Sequence, residues 1–220
     1  MITVDNLTKK YAGVVLDDFT WEFSRSSVTA VVGPNGTGKT TLFKCVLGLE
    51  RYHGTILFDG RPLEEVRDRV VSVFDDAPLY THLSGRDNLR YFLPDRAVSA
   101  RGHYADLLVG PDGRWLQQRV GSMSHGQRKR LAVLIALGSD PLYVVLDEVS
   151  NGIDVLALDG LAAAVAEISS VATVIVSGHD LGFLATMAQR SVAIVDGVAH
   201  EVARPGSQFT LEQEYRRVYG

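Results

Sequence analysis

Alternating apolar and polar positions predict a strand at residues 2–8 and a second β-like stretch over Val14–Phe23. Ser27–Val32 (SVTAVV) is instead a short apolar run cut off by Gly33, which reads as a buried strand. From Lys39 to Leu49 the period lengthens, with Leu42, Cys45, Val46 and Leu49 at helical spacing. His53–Phe58 and Val70–Phe74 return to strand character, with the turn pair Asp59-Gly60 between them.

Between about residues 76 and 138 the strand-like runs stop. Leu83, Leu89, Phe92 and Leu93, then Leu107, Leu108 and Val109, then Leu131 to Leu137 suggest helices, so this stretch is expected to be a mostly helical insertion. Strand character resumes at Leu142–Leu146, which ends in two acids. A helical stretch over Val155–Ile168, strands at Thr173–Ser177 and Ser191–Val195, a turn at Asp196-Gly197 and an amphipathic helix over Leu211–Val218 complete the pattern. Strands alternating with helices imply an α/β fold with a mostly parallel sheet flanked by helices. No internal repeat and no Pro/Gly/Ser-rich linker divides the chain, so residues 1–220 are expected to form a single domain around the insertion.

Composition narrows the setting. A length of 220 residues with 46% hydrophobic and 22% charged residues suits a globular core. The formal net charge of -4 gives no basic field, which argues against nucleic acid as the main partner. Cys45 is the single cysteine and lies among Leu42, Phe43, Val46 and Leu47, so it is expected to be a buried apolar residue. The opening MITVDNLTKKY lacks a basic stretch followed by an apolar core, and no signal peptide is expected. No apolar run reaches the ~18 residues of a membrane-spanning helix. Work at a membrane would therefore need another protein's helices.

Candidate chemistry begins at Gly33-Pro34-Asn35-Gly36-Thr37-Gly38-Lys39-Thr40, which satisfies G-x-x-x-x-G-K-Ser/Thr after a predicted strand and at the start of a predicted helix. Glycines let the backbone curl until several N–H groups face a phosphate, and the helix adds its positive dipole end. Lys39 is expected at the β- and γ-phosphates of ATP, Thr40 on Mg²⁺, and the Thr41 hydroxyl in the phosphate shell. The strand ending in Asp147-Glu148 puts two carboxylates at the sheet's C-terminal edge, where open α/β sheets bind ligands. Asp147 is expected to hold Mg²⁺ and Glu148 to polarise the attacking water as general base.

The residues between these two motifs carry a family resemblance. Met123-Ser124-His125-Gly126-Gln127, followed by Arg128-Lys129-Arg130-Leu131, resembles the LSGGQ signature of ATP-binding-cassette ATPases. Asn151-Gly152-Ile153-Asp154 resembles the D-loop, and Ser177-Gly178-His179-Asp180 resembles the switch-histidine segment. Tyr11, in LTKKY, stands in the usual place of the aromatic that stacks on adenine. The resemblance covers essentially the whole chain. It implies a P-loop NTPase core with an N-terminal antiparallel β subdomain and an inserted α-helical subdomain. It also implies a head-to-tail dimer, with itself or with a related ATPase, in which Ser124, Gly126, Gln127 and Asp154 meet ATP held by the partner. His179 would hydrogen-bond the γ-phosphate. The implied partner is a transmembrane permease, with this chain peripheral on the cytoplasmic side of the cell membrane. The loop from Asp75 to about Ser84, together with the insertion, would form the docking surface. The short insertion and the ending TLEQEYRRV look like small exporter-type ATPases. The alternatives are a soluble cassette ATPase of the Fe–S assembly or ribosome-associated kind, and a nucleotide-binding regulator, against which Glu148 and His179 speak.

Four positions depart from the family pattern, the mildest being Val149, where proline is common. Asp75 aligns with its usual glutamine; a carboxylate there can ligand Mg²⁺ but donates no amide hydrogen bond. His125 replaces a signature glycine and is expected to face either the partner's nucleotide or solvent. Met123 replaces leucine at similar volume. The basic run Arg128-Lys129-Arg130 is expected to be a solvated or interface face.

Overall fold

The computed structural model describes residues 1–93, 99–110, 113–203 and 210–220. Parts of the predicted insertion at 94–98 and 111–112 lie outside the described residues. The strands are β1 (Ile2–Lys10), β2 (Val14–Phe23), β3 (Ser27–Val32), β4 (His53–Phe58), β5 (Val70–Val73), β6 (Tyr143–Leu146), β7 (Thr173–Ser177), β8 (Arg190–Val195) and β9 (Val198–Ala203). The helices are α1 (Lys39–Val46), α2 (Leu63–Val66), α3 (Gly85–Phe92), α4 (Ser99–Val109), α5 (His125–Gly138), α6 (Val155–Ile168), α7 (Leu181–Met187) and α8 (Leu211–Tyr219).

β1, β2 and β4 form an antiparallel sheet in the order β2-β1-β4, and the second sheet runs β5-β6-β7-β3-β8-β9. In the second sheet β5, β6, β7, β3 and β8 pair in parallel, while β9 returns antiparallel as the edge. Pairs such as Val73–Leu146, Leu146–Val176 and Val31–Ser177 bring the ends of four parallel strands to one edge.

Side-chain alternation in the buried parallel strands divides the core into two clusters. Val28, Ala30, Val32, Val144, Leu146, Val174 and Val176 pack with α5, α6 and α7. Val31, Val145, Ile175, Val192 and Ile194 point the other way, onto Leu42, Phe43 and Val46 of α1 and the inner face of the antiparallel sheet. Cys45 lies in that second cluster, 1% exposed. A parallel sheet covered on both faces explains why its strands read as unbroken apolar runs.

Several boundaries differ from the sequence reading. The first helix stops at Val46 rather than Leu49, because Gly48 takes a left-handed φ of 67° that ends the helical turn. Leu142 and Phe74 lie just outside their strands. The short helices α2 and α7 and the edge strand β9 were not predicted.

Candidate active site

The phosphate loop lies at the end of β3. α1 begins after Gly38, whose φ of 107° is left-handed, and no side chain caps this helix. Its first N–H groups are therefore left to a ligand. Gly36 also has a positive φ, 84°, with open space where a Cβ would sit. The Lys39 ammonium turns back and donates to the carbonyls of Gly33 at 2.7 Å and Pro34 at 3.1 Å, and the Thr37 hydroxyl donates to Pro34 O at 3.0 Å. Burial pushes the Lys39 pKa down, opposed by the charges of Glu148 and Asp147. Pro34, Asn35 and Gly36 are exposed at the loop tip. Residues of this kind fit a polyphosphate: a curled, uncapped backbone with a half-satisfied ammonium at its centre.

Asp147 lies opposite. Its Oδ2 accepts from the Thr40 hydroxyl at 2.8 Å and its Oδ1 from the Ser177 hydroxyl at 2.6 Å. Two of the three positions expected on magnesium, Thr40 and Asp147, thus meet directly, while the third, Asp75, contacts Lys129 and His125. A hydroxyl and a carboxylate side by side are hard oxygen donors of the kind Mg²⁺ prefers. Glu148 follows with a left-handed φ of 50°. Its N–H donates to Ser177 Oγ at 2.9 Å, and Oε1 lies 3.3 Å from His179 Nε2.

Tyr11 is exposed beyond β1, with the Lys9 ammonium 4.5 Å from its ring centre. Desolvation and then Glu50 raise the Tyr11 phenol pKa, while Lys9 and the hydroxyl of Thr41 in α1 act against them. The ring therefore borders the helix that leaves the phosphate loop.

α5 starts with a reciprocal cap: Ser124 Oγ accepts from the Gln127 N–H at 3.1 Å, and Gln127 Oε1 accepts from the Ser124 N–H at 3.0 Å. Gly126 meets the Asn151–Asp154 segment so closely that a Cβ there would run into the Gly152 carbonyl oxygen. The Asp154 carboxylate caps α6, accepting from the Ala157 N–H at 3.0 Å.

His125 packs on Gly152 with Nε2 3.2 Å from Asp75 Oδ1, and its side chain stays 40% exposed. One expectation is corrected here. The basic run is not a solvated face. Arg128 donates to Met123 O, Arg130 donates to the carbonyls of Leu108 and Val109, and Lys129 is 1% exposed. Buried cations need partners; Lys129 Nζ donates to Asp75 Oδ1 at 3.3 Å and to Asp147 O at 3.0 Å. Partial burial raises the Asp75 pKa, and the Lys129 charge and hydrogen bond, followed by His125, outweigh it and hold the carboxyl below its ordinary value.

Ser177 and Lys129 also border the site, and neither was among the expected site residues. Each carried a signal. Ser177 is a hydroxyl ending an otherwise apolar run, and Lys129 stands four and eight residues before Val133 and Leu137, on the buried stripe of α5.

A curled, amide-lined loop facing an aspartate and a glutamate across a parallel sheet edge defines a P-loop NTPase. The ABC transporter family model matches residues 16–151, more than half of the chain, and the chain belongs to that family. The lantibiotic transport ATP-binding protein SrtF of Streptococcus pyogenes is 29% identical over 220 residues, covering 98% of this chain and 91% of that protein. The sn-glycerol-3-phosphate import ATP-binding protein UgpC of Paracoccus denitrificans (strain Pd 1222) is 30% identical, covering 93% of this chain and 61% of its own length. Among solved structures, an ATP-binding subunit of an ABC transporter shares the fold with a TM-score of 0.86 at 22% identity, both chains covered completely. A dimeric cassette in a post-hydrolysis state with ADP and Pi has a TM-score of 0.77 at 19% identity, over 91% of this chain and 97% of that one. The protein is an ATP-binding, ATP-hydrolysing subunit of an ABC transporter.

Proposed function

We propose that this chain hydrolyses MgATP at the edge of β3, β6 and β7 and passes the resulting dimer closure to a membrane-spanning permease. The observation that carries this reading is the line of contacts beside the Lys39 loop: hydrogen bonds join Thr40, Asp147, Ser177 and the Glu148 backbone, and the Glu148 carboxylate lies 3.3 Å from His179 Nε2. Thr40 and Asp147 would hold magnesium, which when bound neutralises phosphate charge. The uncapped start of α1 and the Lys39 ammonium bind the phosphates, and Tyr11 offers a face to the adenine. Glu148 takes the proton of the attacking water while His179 orients it. Ser124, Gly126 and Gln127, at the positive end of the α5 dipole, meet the γ-phosphate held by a second cassette. ATP then acts as an interfacial ligand that favours the closed pair, and its hydrolysis removes that preference.

The helices between β5 and β6 supply the proposed docking face. An apolar groove of about 280 Å³ is lined by Val71, Ala77, Leu79, Phe92, Leu93 and Ile135. Beside it Tyr80, Tyr91 and Phe92 form an exposed aromatic cluster, with Tyr80 stacked on Phe92 at 5.6 Å. Exposed aromatics around an apolar groove mark a protein contact. No helix among the described residues is long and apolar enough to cross a membrane. The test is copurification from detergent-solubilised membranes. A multi-spanning protein should copurify with the tagged chain, stimulate its ATPase, and be lost with Tyr91→Ser/Phe92→Ser. ATPase indifferent to every membrane fraction would favour a soluble cassette instead.

A further inference from the structure

The peptide joining Asp147 to Glu148 is gripped from both sides. Its N–H donates to Ser177 Oγ at 2.9 Å, and its C=O accepts from the Lys129 ammonium at 3.0 Å. The grip has a conformation to hold, because Glu148 carries a left-handed φ of 50°, unfavourable for a residue with a Cβ. We propose that Lys129 is a positioning residue for Glu148, its ammonium fixing the Asp147–Glu148 peptide plane and so the aim of the glutamate, with Asp75 as the counter-ion that keeps the ammonium in place. The inference rests on the reading of Glu148 as general base.

Three features support it. Lys129 is 1% exposed, and an ammonium so deeply buried is costly without an opposite charge. Asp75 Oδ1 at 3.3 Å provides that charge, sharing the same oxygen with His125 Nε2 at 3.2 Å. Lys129 also sits in the first turns of α5, directly after the Ser124 cap, while Asp75 follows the end of β5. One ammonium therefore ties the helix carrying the signature, and the loop entering the helical segment, to the backbone of the base. A rotation of α5 pulls on that peptide. A glutamine at position 75 could accept a hydrogen bond from Lys129 but could not neutralise it.

The test compares steady-state ATP turnover, nucleotide affinity and thermal melting of the full chain for Lys129→Met, Lys129→Arg, Asp75→Asn and the Asp75→Asn/Lys129→Met double variant, with Glu148→Gln alongside. Lys129→Met is expected to lower kcat by about tenfold or more while KM for ATP moves by less than about twofold. Lys129→Arg, which keeps a charged donor, is expected to recover about half of kcat or more. Adding Asp75→Asn to Lys129→Met is expected to cost nothing further, the signature of a pair acting together. Should Lys129→Met melt early, Asp75→Asn carries the test, its kcat falling at unchanged KM. A folded Lys129→Met with wild-type kcat, or losses of kcat and ATP affinity in equal measure, overturns the proposal. Additive losses overturn the role of Asp75. An active Glu148→Gln is a separate failure: it removes Glu148 as base, and the positioning proposal with it.

Discussion

Nε2 of His179 lies 3.3 Å from Oε1 of Glu148, while Oε2 of the same carboxylate is buried without a hydrogen-bond partner. One oxygen thus faces His179, and the other is enclosed with no polar partner. A buried acceptor left unpaired costs stability, which is why such atoms concentrate where a reaction needs them. His179 follows β7, Glu148 follows β6, and their adjacency comes from the parallel pairing of those two strands.

Glu148→Gln should keep ATP binding and lose about 10²–10⁴-fold of turnover, the usual worth of a positioned general base. The amide keeps shape and size but takes no proton. With hydrolysis blocked, ATP should hold the closed pair together. Phosphate release and sedimentation with ATP measure the two effects; turnover near wild type would remove Glu148 from the base role.

Ser124 has two separable duties. Ser124→Ala removes the helix cap seen within the chain and should cost about 1 kcal/mol of stability, read as a melting temperature lower by roughly 2–4 °C. Ser124→Arg should in addition block ATP-driven dimerisation while the monomer still binds ATP. If the monomer loses ATP affinity in proportion, the signature acts on the nucleotide of its own chain and the head-to-tail arrangement fails.

The elements most legible in the sequence were those buried most evenly. Ser27–Val32, Thr173–Ser177 and Val155–Ile168 were found at their predicted bounds, since strands covered on both faces and a helix packed on the sheet leave long apolar runs. β9 was not, because VAHEVA is an edge strand whose polar His200 and Glu201 break the run. α2 and α7, at 4 and 7 residues, are too short to show a period. In the site, local motifs named the phosphate loop and the acids, but the bonds of Asp75, His125 and Lys129 depend on packing across 50 and 54 residues. Only the helical spacing of Lys129 with Val133 and Leu137 hinted at burial.

Cys45 should be unreactive in the folded chain. It is 1% exposed, and burial pushes its thiol pKa up to about 11. At pH 8 the thiolate, which is the nucleophile, is then scarce as well as shielded. Ellman's reagent should report almost no thiol natively and one per chain in denaturant. Rapid native labelling would show that the cluster around α1 opens readily.

Asp59 sets a limit on acid stability. In the turn after β4 its carboxylate accepts from Arg25 Nε at 2.6 Å, the Tyr143 hydroxyl at 2.6 Å and the Met1 amino group at 2.9 Å. Burial alone would raise its pKa, but those hydrogen bonds prevail and bring it from 3.8 to about 2. The folded state thus binds this proton less readily than the unfolded chain. The stabilisation is therefore complete above about pH 4 and is lost as pH falls towards about 2, for at most about 2 kcal/mol. Its partner behaves in the opposite sense. Burial, then Asp59, pushes the Tyr143 phenol from 10.0 to about 12, so that contribution is present below pH 10 and is lost as pH rises towards 12. Asp59→Asn should lower the urea midpoint at pH 7, flatten its fall between about pH 4 and pH 2, and bring the Tyr143 titration, followed by ultraviolet absorbance, to lower pH. An unchanged acid limb in the variant would assign the acid sensitivity of the fold to other carboxylates.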